Sequence, residues 1–181
     1  MATETHYPDA FATALVALTG SVTDIDEDPD AKSWTATDPL RADSNNVSTT
    51  VHCSFPAPTG NLTTGAGLQE FRVLLRPYSS TQTGDPDWRI ELWENNGIIR
   101  AGSNTEILND AGDTVVSFTW DASEISVANG SGVEIKVFGV KAGGAGGARN
   151  TVDIGAIEWN ATYTPSGGFQ AAWTQRSNQI L

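Results

Sequence analysis

The stretch that decides the fold class is residues 87–102, DWRIELWENNGIIRAG. Its first half alternates apolar and polar residues, which places Ile90 and Leu92 on one face of an extended strand. The turn Asn95-Asn96-Gly97 then leads into the short apolar run of residues 98–100. An Asn-Gly pair between two such runs is the strongest short-range sign of a β-hairpin. The stretch therefore predicts two antiparallel strands.

The same pattern recurs on both sides of this hairpin, with Gly, Pro, Asn and Asp between the runs. Long Ala/Leu/Glu/Lys stretches, which are typical of long helices, are missing. With the two strands of the hairpin, about eight strands are predicted, and the other six cover residues 12–19, 47–55, 68–76, 113–120, 132–140 and 150–163. We expect an all-β fold, an antiparallel β-sandwich of the jelly-roll type. Because strand order cannot be read from local pattern, an immunoglobulin-like sandwich is the alternative.

Alternation within these strands also predicts the hydrophobic core. One face of each strand carries large apolar residues, and these faces should meet between two sheets. The predicted core consists of Phe71, Val73, Ile90, Leu92, Phe118, Trp120, Ile135 and Val137.

The chain divides into a central domain with an extension at each end. Residues 1–10 are polar and are predicted to form an N-terminal arm, residues 11–164 the β-sandwich domain, and residues 165–181 a C-terminal hinge and arm. The C-terminal arm carries four large apolar side chains, and exposed apolar anchors need a groove to fill. We expect this groove on a neighbouring subunit or the capsid surface, with the arm folding back on its own sandwich as the alternative. Its predicted interface residues are Phe169, Trp173, Ile180 and Leu181, with Trp173 as the main anchor.

Composition excludes several classes of partner. The 181 residues include 22 acidic and 10 basic side chains, for a net charge of −12. Such a surface repels nucleic acid and anionic membranes, so neither is an expected partner. The start of the chain has no basic segment before its short apolar run, and we expect no signal peptide. Cys53 is the single cysteine, so an internal disulfide is impossible and burial as a small apolar residue is expected.

An acidic loop, residues 24–30, is the candidate metal site. Asp24, Asp26 and Asp28 alternate as in the start of a calcium loop. The EF-hand pattern fails, however, because Pro29 and Thr35 would occupy the positions that need Gly and Glu. We predict a solvated loop, with a weak calcium site on these three carboxylates as the alternative. No other cofactor is expected.

No group of residues carries a catalytic signature. His6 and His52 lack zinc-site spacing, and His52 and Cys53 point to opposite faces of one strand. Glu91, Glu94 and Glu158 stand beside tryptophans, but outward-facing strand positions explain them as well as glycoside hydrolysis does. The Gly-rich residues 143–147 lack the phosphate-loop pattern. We therefore expect that the protein is not an enzyme.

Six stretches of the sequence resemble a family of bacteriophage virion structural proteins. They are DIDEDPDAKSWTATD (24–38), FPAPTGNLTTGAGLQEFRVLLR (55–76), ELWENNGIIRAG (91–102), TWDASEI (119–125), GSGVEIKVFG (130–139) and NTVDIGAIEWNATY (150–163). The resemblance spans roughly residues 20–163 and lies in turn and strand motifs. It implies a β-sandwich displayed on a virus particle, on either capsid or tail. It supplies no catalytic residues.

The expected function is therefore structural. We expect a non-enzymatic capsid decoration (cement) protein that stabilises the particle surface through subunit contacts. It would be assembled in the host cytoplasm and located in the virion. Its expected partners are its own copies, in a homo-oligomer expected to be a trimer, and the major capsid protein or other virion proteins. The alternative is a carbohydrate- or receptor-binding module of a tail fibre or spike, with Trp34 and Trp93 stacking on sugars.

Overall fold

The computed structural model describes residues 1–31, 40–42, 48–78, 85–106, 112–140 and 151–165. Within these ranges nearly all regular structure is β-strand, and no helix is long and apolar enough to cross a membrane. Two single turns of 3-10 helix occur, at Val22–Asp24 and Ala122–Glu124. The strands are β1 (Ala2–His6), β2 (Ala10–Phe11), β3 (Leu18–Thr19), β4 (Arg41–Ala42), β5 (Thr49–Ser54), β6 (Gly60–Leu62), β7 (Gln69–Tyr78), β8 (Asp87–Glu94), β9 (Gly97–Ala101), β10 (Thr105–Glu106), β11 (Thr114–Trp120), β12 (Val133–Val140) and β13 (Thr151–Pro165).

The strands form two main antiparallel sheets that pack face to face. The first sheet has the order β1-β13-β7-β11, with β6 beside the end of β13. The second has the order β10-β8-β12-β5-β2, with β9 also beside β8. Strands β3 and β4 form a separate small pair. The prediction of an all-β antiparallel sandwich is confirmed.

The long strands pair in a nested order. In the part of the chain that the structure describes, eight strands have five residues or more: β1, β5, β7, β8, β9, β11, β12 and β13. The first of these pairs with the last, the second with the seventh, the third with the sixth and the fourth with the fifth. Residues far apart in the chain therefore lie side by side, and the hairpin β8–β9 is the innermost pair.

The core lies between the two sheets and is rich in aromatic rings. Phe71 is fully buried at its centre and packs against Phe55, Trp120 and Trp159 at centroid distances of 5.6, 5.7 and 6.3 Å. Seven of the eight predicted core residues are buried. Phe118 is the exception and is only half-buried, because β11 is the edge strand of its sheet.

The prediction of an N-terminal arm is wrong for residues 2–6. These residues form β1, which pairs with β13 from Ala2 opposite Tyr163 to His6 opposite Trp159. The Glu4 carboxylate accepts hydrogen bonds from the Thr59 and Tyr163 hydroxyls at 2.6 and 2.8 Å. The polar composition that indicated an arm belongs to an edge strand, half of whose side chains face solvent.

The prediction of one strand over residues 12–19 is also wrong. The chain leaves β2 after Phe11, forms a single bridge between Val16 and Thr50, and turns at Ala17 with a φ of 53°. Only Leu18–Thr19 is a strand there. This apolar run connects β2 of the second sheet to the small β3–β4 pair, and its Leu18 is buried.

Candidate functional site

The solvent side of the second sheet carries an unusual set of large polar and aromatic side chains. We call it the outer polar-aromatic face and define it as Arg89, Glu91 and Trp93 of β8, Glu134, Lys136 and Phe138 of β12, and His52 of β5. Their positions alternate with core residues, so they project from the opposite side of the sheet. Register places Arg89 opposite Phe138, and Glu91 opposite Lys136.

Cations lie over the aromatic rings of this face. The Arg89 guanidinium is 4.4 Å from the centre of the Phe138 ring. The Lys136 ammonium is 4.5 Å from the centre of the Trp93 ring and 5.3 Å from that of Phe138. Each such contact stabilises by about 0.5–1 kcal/mol at an exposed site. The cations are therefore held in place over the rings.

The carboxylate of Glu91 lies beside Arg89 on the same face. It accepts a hydrogen bond from the Trp93 indole Nε1 at 2.8 Å and pairs with Arg89 at 2.9 Å. The residue is only 4% exposed. Two donors offset the cost of burying this charge, so a structural role for Glu91 is complete within the protein.

A buried imidazole–carboxylate pair lies at the other end of the face. His52 Nε2 is 2.8 Å from Glu134 Oε2, and the Glu134 carboxylate also accepts the backbone N–H of Asn96. Burial lowers the pKa of His52 below its ordinary value, against the opposing hydrogen bond to Glu134. This pair ties β5 and β12 to the turn of the β8–β9 hairpin.

Around His52, a hydroxyl, an imidazole and a carboxylate follow one another as in a catalytic triad, but their geometry does not fit one. The Thr13 hydroxyl lies 3.4 Å from His52 Nδ1, and Glu134 lies on the other side of the ring. That distance is long for a nucleophile and its base. The imidazole is also only 1% exposed, which closes it to a substrate. The arrangement fits a packed polar contact.

Trp93 is not a free platform for sugar stacking. The His52 ring lies against it at a centroid distance of 4.9 Å, and Lys136 covers it from β12. Its indole N–H is bound to Glu91. Trp34, the other tryptophan considered for sugar binding, lies outside the described residues, as do residues 143–147.

The other two carboxylates considered for hydrolysis are also buried and bound. Glu94 accepts hydrogen bonds from the backbone N–H groups of Ser126 and Val127 and from the Ser126 hydroxyl. Burial acts to raise the pKa of Glu94, but these hydrogen bonds outweigh it and hold that pKa below its ordinary value. Glu158 pairs with Arg72 at 2.6 Å. Both carboxylates join neighbouring elements.

The acidic loop lies along the edge of β13, with Ile25 in the core, and reaches the outer side of the first sheet at Asp30. The backbone carbonyl of Ile25 accepts the N–H of Ile157, and Asp30 pairs with Arg72 at 2.7 Å. Asp24 accepts the N–H of Ser21, and Asp28 that of Asp30. No group of three or more His, Cys, Asp or Glu residues within the described ranges is arranged to hold a metal ion. The calcium alternative for Asp24, Asp26 and Asp28 stays a prediction.

The remaining candidate residues include Cys53 and His6. Cys53 is fully buried, and burial raises the pKa of its thiol. The His6 ring packs against the ring of Trp159, at a centroid distance of 5.4 Å. The predicted interface residues Phe169, Trp173, Ile180 and Leu181 lie outside the described residues, and their role stays a prediction.

Sequence reasoning identified Trp93 and Glu91 but missed the face that they belong to. The sequence contains these residues at the alternating positions, opposite the core positions, of three strand segments at 50–54, 89–93 and 134–138. Only the pairing of these strands brings the side chains together. No protein-family model matches the chain, and no curated protein is significantly similar to it.

Proposed function

We propose that this chain is a non-enzymatic structural protein of a bacteriophage particle, most specifically a capsid decoration protein. The proposal rests first on the resemblance of residues 20–163 to virion structural proteins. The observation in the fold that supports it best is the nested pairing of the eight long strands. Such pairing is expected when one long antiparallel hairpin wraps into two sheets, and it supports the jelly-roll arrangement that we propose, an architecture used in viral capsids.

The polar side chains support a structural role over a hydrolytic one. Glu91, Glu94 and Glu158, the carboxylates beside tryptophans, are at most 8% exposed, and each is bound by donors of the protein. A glycosidase needs a pair of carboxylates that reach the substrate on both sides of the scissile bond. Glu94 and Glu158 instead connect neighbouring elements, and Glu91 is bound by Trp93 and Arg89 of its own strand.

The same contacts favour decoration over sugar binding. A carbohydrate module stacks sugars on an open aromatic ring, whereas Trp93 is covered by His52 and Lys136. The tail-fibre or spike module is therefore the second candidate.

Composition analysis of purified particles tests the proposal. Particles from the source virus are banded on a density gradient, and capsids are separated from tails before quantitative mass spectrometry. We expect the chain in the capsid fraction at a copy number comparable to that of the major capsid protein. Recovery with tails alone would support the second candidate, and absence from the particles would contradict both.

A further inference from the structure

We draw no further inference here: the strongest candidate, the outer polar-aromatic face with the exposed Ile98 and Ile99 beside it, matches its cations Arg89 and Lys136 with its own carboxylates Glu91 and Glu134, and nothing in the structure shows what covers it.

Discussion

At the scale of single residues, the distance of a side chain from the sheet edge decides how much it contributes to the free energy of unfolding. Phe71 is fully buried among aromatic rings, whereas Phe118, on the edge strand β11, is half-buried. We expect Phe71→Ala to lower the free energy of unfolding by about 3–5 kcal/mol. For Phe118→Ala we expect about 1–3 kcal/mol, since less area leaves water. Urea denaturation measures both, and an equal loss would show that burial does not separate the two sites.

The second residue-scale prediction concerns Glu94 and acid stability. Burial opposes its ionisation, but the Ser126 and Val127 hydrogen bonds hold its folded-state pKa below the unfolded value of about 4.5. Its contribution is therefore present above that value and is lost as pH falls through the folded-state pKa. We expect Glu94→Gln to lower the Tm at neutral pH and to reduce the further loss on acidification. The exposed Glu106→Gln is the control, and its Tm curve should follow wild type. If the curves of Tm against pH for Glu94→Gln and wild type run parallel, Glu94 does not contribute to the acid dependence of stability.

At the scale of elements, the β8–β9 hairpin depends on two residues with positive φ. Asn95 and Asn96 have φ values of 49° and 64°, as a two-residue type I′ turn requires. We expect Asn96→Ala to cost about 1 kcal/mol of unfolding free energy, because alanine is strained in this conformation. Asn96→Gly should cost little, since glycine adopts it freely. Chemical denaturation measures the free energy of unfolding of both variants. Equal losses would show that the asparagine side chain, and not the backbone conformation, stabilises the turn.

The N-terminal strand is the second element with a measurable contribution. Strand β1 lies along β13 over five residue pairs, and its Glu4 is bound by Thr59 and Tyr163. We expect deletion of residues 2–6 to lower the Tm markedly, because it exposes the edge of β13 and the ring of Trp159. Thr3→Ala, at an exposed position of the same strand, serves as the control for local composition. An unchanged Tm after the deletion would restore the view of these residues as an arm.

At the scale of the whole molecule, the nested pairing predicts a single cooperative unfolding transition. Each sheet takes strands from both ends of the chain, so neither sheet can persist after the other is lost. We expect tryptophan fluorescence and far-UV circular dichroism to give the same urea midpoint. Two separate midpoints would mean that one sheet is stable without its partner.

The sequence by itself determined most of the strands and much of the core. Strands β5, β7, β8, β11, β12 and β13 lie where alternation predicted them, and the hairpin turn is present. These features are local, since a period of two and a turn residue act over a few neighbouring positions. Phe118 shows what local pattern cannot predict. Its place in the alternation is that of a core residue, but it is half-buried because β11 is an edge strand.

Only the tertiary structure decided which strands are neighbours. The short polar stretch ATETH became β1 because β13 offers it an edge, and the run over residues 12–19 became a connection from β2 to the separate β3–β4 pair. The outer polar-aromatic face likewise exists only once β5, β8 and β12 are adjacent. Strand adjacency is settled by burial and pairing between residues far apart in the chain, which no local periodicity encodes.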